Sequence, residues 1–361
     1  MTKIRVATIG SSTITDSFLS GARHDGRFIH EAVCSRTAEK GGAFAAKHNV
    51  SKLYTSLEDL AADRSVDAVY IASPNSCHAP QAVALMNAGK HVICEKPIAT
   101  CPEDFERMAE AALRNKVSFM EAMKTTLLPN FYAVRDSLGK IGTIRRYTAQ
   151  YCQYSSKMAM YKQGNVASNM DPRMGGGALL DLGIYCIAPM VHLFGAPWQG
   201  EFSRRKLEEC VTAQSTTVYP GSDLSRGNSP HPELGIDGQG SMIIRYPGME
   251  CVLAYSKITD SQLPAEIQGD KGAILIDHIS LMKSPRIVYR KGCGTRGDSG
   301  FHNEFASDTA QAGTEDLSRE TAADNMYYEV KEFLDMIESG RIESEHNTFE
   351  RSLICMQICS R

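Results

Sequence analysis

A lysine stands directly at the mouth of an apolar run in Val92-Ile93-Cys94-Glu95-Lys96-Pro97-Ile98. Its ammonium can polarise a substrate oxygen or donate to it, and Pro97 sets the direction of the chain beside it. Glu-Lys-Pro alone is ordinarily a surface turn; the apolar strand in front of it is what sets this one apart. Far downstream, Gly175-Gly176-Gly177-Ala178-Leu179-Leu180-Asp181-Leu182-Gly183-Ile184-Tyr185 places an acid and a phenol four residues apart, hence on one helical face. Gly183 removes a side chain beside them and lets another group come close. A carboxylate in so apolar a stretch needs a partner, and Lys96 is the natural one. The plainer reading is a core helix whose Asp and Tyr are satisfied by backbone groups. The chemistry open to Lys96, Asp181 and Tyr185 together is proton transfer. Free tyrosine ionises near pH ~10, so it serves as a base at neutrality only where a cation stabilises the phenolate. Lys96 offers that cation, and Asp181 would keep it charged and in place.

A second group of residues has the pattern of a dinucleotide site, which needs a strand, a tight turn and a helix N-terminus facing the pyrophosphate. The turn is Ile9-Gly10-Ser11-Ser12-Thr13-Ile14-Thr15. Only the first glycine of G-x-G-x-x-G/A is present, with Ser12 and Thr15 where the others belong, so an ordinary βα turn is the competing reading. Gly10, Ser12, Thr13 and Ile14 are the candidate phosphate contacts. The end of the second strand selects the cofactor: an acid there binds the adenosine ribose, a base accommodates a 2′-phosphate. This chain has Ser35 and Arg36, with Lys40 one turn on. The planar, permanently charged Arg36 points to NADP, with NAD possible; a solvated surface arginine is the alternative. Ser73, Pro74, Asn75 and His78 follow a third strand, and Glu95 and Lys96 a fourth, so both groups lie at the carboxyl edge where doubly wound sheets bind ligands.

These residues need a scaffold, and the hydrophobic periodicity describes one. Ile4–Ile9 reads as a strand, Thr13–Ala22 as a helix and Ile29–Cys34 as a strand. Ala38–His48 reads as a helix capped by Thr37, and Ala79–Ala88 as one closed by Gly89. Strand–helix alternation continues through Val117–Ala122, which predicts a parallel, doubly wound sheet over residues 1–123. From 124 to 361 the pattern changes. Thr143–Tyr154 alternates as a half-exposed strand. Met242–Tyr246, the Pro247-Gly248 turn and Cys251–Tyr255 predict a hairpin. Ala265–Gln268, Ala273–Asp277 and Arg286–Tyr289 read as further strands. The expected second domain is α+β, with an open, mostly antiparallel sheet. Ser215–Gly238 reads as a loop and Cys293–Leu317 as a polar arm. Gly175–Gly195 reads as one buried helix, and Met326–Ile337 and Phe349–Cys359 as two amphipathic ones.

Composition excludes several classes. The 361 residues are 42% hydrophobic and 22% charged, a globular balance rather than a disordered one. Lys plus Arg (39) nearly matches Asp plus Glu (42), a net charge of −3, which leaves no electrostatic footprint for nucleic acid or anionic membrane. The 11 cysteines form no CxxC pair, so free thiols in a cytoplasmic protein are expected rather than bridges, and no metal. Met1–Val6 enters a strand at once and lacks the apolar stretch of a signal peptide. The long apolar run at 175–195 carries Asp181, Pro189 and His192, which argues against a membrane span.

Taken together, Glu95-Lys96-Pro97 in its strand, Ser73-Pro74-Asn75 with His78, the Gly175–Tyr185 run, and Glu266-Ile267-Gln268-Gly269 followed by Gly272 resemble the glucose–fructose oxidoreductase/inositol dehydrogenase (Gfo/Idh/MocA) family. The resemblance covers nearly the whole chain. It implies a Rossmann domain, then a domain whose open sheet serves oligomerisation, as a homodimer or homotetramer. It also implies NAD(P)-linked oxidation of a sugar, cyclitol or similar diol. By that resemblance Glu95 contacts the nicotinamide-side ribose, Lys96 meets the substrate hydroxyl and Asp181 orients the substrate. The family often has Asp-x-x-x-His where this chain has Tyr185, a departure that points to the branch of dimeric dihydrodiol dehydrogenases, some NADP-dependent xylose dehydrogenases and glucose–fructose oxidoreductase itself. Lys124–Pro129 lacks the aromatic, Arg and His residues common after that strand in this branch. Against the enzyme stands a dinucleotide-sensing regulator of the same fold without catalysis; joint retention of Lys96, Asp181 and Tyr185 favours chemistry.

Overall fold

Six short strands of the N-terminal half run parallel in the order β3-β2-β1-β4-β5-β6. They are β1 (Ile4–Ile9), β2 (Phe28–Cys34), β3 (Lys52–Tyr54), β4 (Ala68–Ile71), β5 (His91–Glu95) and β6 (Phe119–Ala122). The computed structural model describes residues 3–290 and 313–361. Five helices connect the strands: α1 (Thr13–Ala22), α2 (Ala38–Lys47), α3 (Leu57–Ala62), α4 (His78–Asn87) and α5 (Pro102–Asn115). Ala68, Val69, Tyr70 and Ile71 of β4 are fully buried, as a central parallel strand covered on both faces must be. The Thr37 hydroxyl accepts the Lys40 N–H and starts α2, and Gly89 closes α4 with a φ of +79°.

The strand order reverses between β1 and β4, which opens the crevice of a doubly wound sheet at their carboxyl ends. Gly10 sits there with a φ of +102°, and a Cβ would come within 2.5 Å of the Ala72 carbonyl oxygen beyond β4. The one glycine kept in this turn is therefore the one the crossing needs.

The second sheet has eight strands: β7 (Ile144–Cys152), β8 (Val211–Val218), β9 (Ile236–Tyr246), β10 (Met249–Ser256), β11 (Ala265–Gly269), β12 (Gly272–Ile276), β13 (Arg286–Tyr289) and β14 (Gly313–Asp316). Their order is β14-β13-β12-β11-β7-β10-β9-β8, antiparallel throughout except for the parallel β7–β10 pair. Ahead of and between these strands lie α6 (Pro129–Ser137), α7 (Met158–Lys162), α8 (Ile184–Phe194) and α9 (Arg204–Cys210). Tyr147, Ala149, Cys251, Leu253, Ile267 and Ile274 face inward on α8, whose Ile184, Ile187, Ala188 and Val191 are buried. The opposite face carries an aligned row of Ile243, Val252, Thr148, Glu266 and Leu275, all half-buried in the single chain.

Two C-terminal helices return to the first half of the molecule. α10 (Tyr327–Ser339), with Met326 just ahead of it, lays Met326, Val330, Phe333 and Leu334 on Ile4, Val6 and Phe18 of β1 and α1. α11 (Phe349–Cys359) packs between α8 and α5.

Three expectations are corrected. The loop expected over Ser215–Gly238 begins inside β8 and ends inside β9; β8 is an edge strand, so its outward Thr212, Gln214 and Thr216 stay exposed and mask its apolar alternation. The single helix expected over Gly175–Gly195 starts later than expected: residues 175–177 lie ahead of it, a π turn (Leu179–Gly183) opens it, and α8 continues it without interruption; a separate 3₁₀ turn (Pro172–Met174) precedes the glycines. That stretch is nevertheless a core element, its apolar side chains sealed under the second sheet. Of the polar arm expected over Cys293–Leu317, residues 293–312 lie outside the described residues, and Gly313–Asp316 forms edge strand β14.

Candidate active site

Lys96 leaves the end of β5 beside a cis Lys96–Pro97 peptide, and its Nζ reaches the π turn of the second half. It donates to Asp181 Oδ1 and to the Asp181 carbonyl oxygen, both at 2.9 Å. The π turn makes the second bond available: the Ile184 N–H reaches back five residues to Leu179, and the Asp181 carbonyl is taken by Lys96. The same ammonium lies 4.9 Å from the centroid of the Tyr185 ring. Gly183 provides the space the sequence implied, and what fills it is Tyr255 of β10, whose ring would stand 3.0 Å from a Cβ there.

Asp181 has a second cation that sequence reasoning missed. Lys257 Nζ lies 2.7 Å from Asp181 Oδ2 and donates to the Asn169 carbonyl at 2.8 Å. The signal was present in the alternation of β10: Cys251, Leu253 and Tyr255 point inward, and Lys257 continues that parity. The side chain of Asp181 keeps 30% of its surface exposed and Lys96 keeps 13%, whereas Lys257 keeps 2%. A ligand can reach the first two but not the third.

Burial opposes charge on Asp181, but Lys96 and Lys257 overcome it and hold the carboxyl well below its usual range. Burial likewise opposes charge on Lys96, and Asp181, Tyr185 and Glu95 outweigh it, so its pKa is raised. For Tyr185, burial pushes the phenol up, and Lys96 offsets only part of that against Glu95, Tyr151 and Asp181. Both candidate proton carriers are therefore loaded at neutral pH. Glu95 is buried behind them, accepting from the Tyr70 hydroxyl at 2.7 Å and from the Lys96 N–H at 3.2 Å. Tyr151 stands edge-on to Tyr185 at 5.5 Å and to His278 at 5.1 Å, a run of three aromatic rings beside the site.

At the reversal crevice, Ser12 caps α1 in an extended conformation without a capping bond, and Ser12 and Thr13 are exposed while Ile14 is half-buried. Asp16, the acid of the first turn, is drawn off by Lys47 at 2.7 Å and His48 at 2.8 Å. Thr15, at the third-glycine position, is buried against the sheet with no hydrogen-bond partner for its hydroxyl among the described residues. Arg36 and Lys40 are exposed beyond β2, and Ser35 is half-buried. This set fits an anionic dinucleotide: hydroxyls and first-turn N–H groups for the pyrophosphate, and two cations beside the second strand.

The other predicted contacts are turned toward protein. The Ser73 hydroxyl donates to Gln81 at 2.7 Å, and Asn75 Nδ2 donates to the Gly175 carbonyl at 2.8 Å, tying the crevice to the glycine run. His78 is fully buried, with its ring nitrogens 2.9 Å from the Pro97 and Ser73 carbonyls, where it joins the loops that carry Lys96 and Pro74.

Comparison with known proteins agrees with this architecture. Residues 4–123 match the oxidoreductase family with an NAD-binding Rossmann fold, and residues 137–275 match the GFO/IDH/MocA C-terminal domain. The chain is 43% identical to scyllo-inositol 2-dehydrogenase (NADP(+)) IolU of Bacillus subtilis, over 98% of this chain and 94% of that one. It is 28% identical to a trans-1,2-dihydrobenzene-1,2-diol dehydrogenase of Xenopus tropicalis, over 72% of this chain and 70% of the other. Among solved structures, the 3-ketoreductase KijD10 of Actinomadura kijaniata with NADP and TDP-benzene superposes with a TM-score of 0.77 at 20% identity, covering 99% of this chain and 96% of that one. By both halves of its length, this chain belongs to the Gfo/Idh/MocA family of NAD(P)-dependent oxidoreductases.

Proposed function

We propose that this chain oxidises a secondary hydroxyl of a cyclitol or sugar with NADP⁺, and reduces the corresponding ketone with NADPH. The observation that carries this reading is the position of Lys96 Nζ, 2.9 Å from Asp181 and 4.9 Å from the Tyr185 ring, at the carboxyl end of a parallel strand. In this assignment residues 1–123 hold the dinucleotide and 124–361 supply the substrate side. Bound there, NADP⁺ provides a hydride acceptor. Gly10, Ser12, Thr13 and Ile14 hold the pyrophosphate, Ser35, Arg36 and Lys40 the 2′-phosphate, and Glu95 the nicotinamide-side ribose. The Ser73–Asn75 loop, tied down by His78, closes the crevice with its backbone.

The substrate oxygen lies between Lys96 and Tyr185. Lys96 donates a hydrogen bond that stabilises negative charge on that oxygen, and Tyr185 exchanges the proton with it. In oxidation Tyr185 first loses its own proton to solvent; the hydroxyl proton then passes to the phenolate oxygen as the C–H bond gives up its hydride to the bound NADP⁺, leaving a carbonyl. In reduction the loaded phenol returns the proton. Asp181, anchored from both oxygens, fixes Lys96 and accepts from a neighbouring substrate hydroxyl. A vicinal polyol offers both groups at once, and the 43% identical relative is named for scyllo-inositol and NADP⁺.

The partner of the open sheet face is a second copy of the chain, giving a homodimer or homotetramer in the cytoplasm. The half-buried row of Ile243, Val252, Thr148, Glu266 and Leu275 supports this, since the three aliphatic side chains on an open sheet face need cover. The function is tested by NADPH absorbance with a panel of inositols, aldoses and dihydrodiols. NADP⁺-dependent turnover of at least one is expected, and failure across the panel in both directions would overturn the reading.

A further inference from the structure

Two ammonium groups bind one carboxylate in this site, and only one of them is within reach of a ligand. A buried lysine is costly unless paired, and Asp181 with Lys96 already forms a complete pair. Lys257 is nonetheless 1% exposed at the inner end of β10, bonded to Asp181 Oδ2 and the Asn169 carbonyl, with Met170 Sδ 3.9 Å away. A purely structural tie between these loops would be met by an uncharged donor.

The geometry points to Lys257 as a positioning residue that acts through Asp181: by holding Oδ2 while Lys96 holds Oδ1, it keeps the carboxylate from cancelling the charge of Lys96 beside Tyr185. This inference rests on the dehydrogenase reading. A lone Lys96–Asp181 pair presents no net charge to the reacting oxygen. With Lys257 the trio carries a net positive charge, which favours loss of a proton from Tyr185 or Lys96 and stabilises negative charge on the substrate oxygen.

The surrounding groups bear on the sign. Lys257 also faces Asp237 of β9, whose carboxylate is occupied by the Leu179 N–H at 2.6 Å. Tyr185 faces Lys96, Glu95, Asp181 and Tyr151, with His278 next to Tyr151. Behind them Glu95 faces Tyr70, Lys124 and Glu329. Among these, Lys257 is the cation that shares the anion of Lys96. Lys96 and Lys257 hold opposite oxygens of one carboxylate, and removing one such charge shifts a proton equilibrium within the group by on the order of one pH unit.

The test compares the full chain with Lys257→Gln, which keeps a donor without the charge, and Lys257→Arg, which keeps the charge. Difluorotyrosine is incorporated so that the phenols ionise in an accessible pH range, and the Tyr185 ¹⁹F signal is assigned by its loss in Tyr185→Phe. Lys257→Gln is expected to move the Tyr185 midpoint up by on the order of one pH unit, with Lys257→Arg near the parent. Turnover of the fastest inositol at pH 7 is expected to fall about tenfold in Lys257→Gln and to recover in Lys257→Arg. Lys257→Met repeats the neutralisation should the amide not be accommodated, and thermal unfolding confirms that each variant is folded. A folded, neutral variant with an unmoved ¹⁹F midpoint overturns the proposal. The fluorine titration needs no substrate, so it decides the role of Lys257 separately from whether the chain turns over a polyol.

Discussion

Lys96 and Asp181 lie 85 residues apart in sequence, yet the lysine ammonium bonds both the side chain and the backbone carbonyl of the aspartate at 2.9 Å. The contact joins the end of a parallel strand to a π turn in the other half of the chain. In the proposed assignment it sets the dinucleotide crevice against the Tyr185 face. Asn75, bonded to Gly175 at 2.8 Å, is a second tie across the same junction.

The proposed NADP preference is assigned to the cations beyond β2, Arg36 and Lys40. Arg36→Asp is expected to weaken NADP(H) binding about ten- to a hundredfold while leaving NAD(H) much less affected, since a charge-assisted hydrogen bond contributes roughly 1.5–3 kcal/mol. Fluorescence titration with both reduced cofactors checks this. Equal affinities in the parent chain, unchanged in the variant, would contradict it.

The proton loading of the site sets the pH dependence of each direction. Burial raises the Tyr185 phenol, and the acids around Lys96 raise its ammonium, so both hold protons through the neutral range. Polyol oxidation, which needs a vacant base, is expected to climb steadily with pH through the range 7 to 10. Ketone reduction, which needs the loaded acid, is expected to hold or fall over the same range. Initial rates in both directions at saturating substrate decide the matter; oxidation that levels off near neutrality would contradict it.

Stability should carry the mark of Glu121. This buried carboxyl at the end of β6 accepts from the Ile98 N–H at 3.1 Å and the Ser352 hydroxyl at 2.8 Å. Burial, with Glu95 nearby, pushes it up to about 7 despite those bonds. A carboxyl raised in the folded state favours folding in its protonated form. Its contribution is thus fully present below its unfolded value near pH 4.5 and is lost as pH rises through about 7. The span corresponds to about 3 kcal/mol. Glu121→Gln should remove that slope, so that its stability relative to the parent improves between pH 5 and pH 8 in urea unfolding. A variant whose difference from the parent stays constant with pH would refute the assignment.

The proposed assembly rests on the second sheet. The row Ile243, Val252, Thr148, Glu266 and Leu275 should be covered by another copy, and Val252→Glu should shift the chain toward monomer. Sedimentation velocity of both forms measures this. A parent chain that sediments as a monomer at every concentration would rule it out.

Most of the parallel sheet was legible because each strand is a short apolar run punctuated by its own cap or turn, as at Thr37 and Gly89. The edges were not. β8 pairs on one side only, and its exposed Thr212, Gln214 and Thr216 give the composition of a loop. The π turn was hidden because Asp181 and Tyr185 keep a four-residue spacing whether or not the backbone widens between them. Lys257 was overlooked because lysine at a strand end ordinarily reads as solvated, and only the inward parity from Cys251 to Tyr255 marks it as buried. The proximity of Lys96 to Asp181 was foreseeable from the need of a buried acid for a partner. That a second lysine would share the same acid was not, because that contact depends on how two distant strands converge.

Tyr185 and Lys96 are proposed to act together as the proton carrier and its stabilising charge. The most direct measurement is kcat for the parent, Tyr185→Phe and Lys96→Met with the same polyol and NADP⁺, alongside cofactor affinity. Tyr185→Phe keeps the ring and its packing against Tyr151 but deletes the phenol. A fall of about 10²–10⁴-fold in kcat is expected with cofactor binding barely changed. Lys96→Met should be at least as damaging, because it removes the charge beside the phenol. A Tyr185→Phe enzyme of full activity, with Lys96→Met inactive, would remove Tyr185 from proton transfer and make Lys96 itself the base.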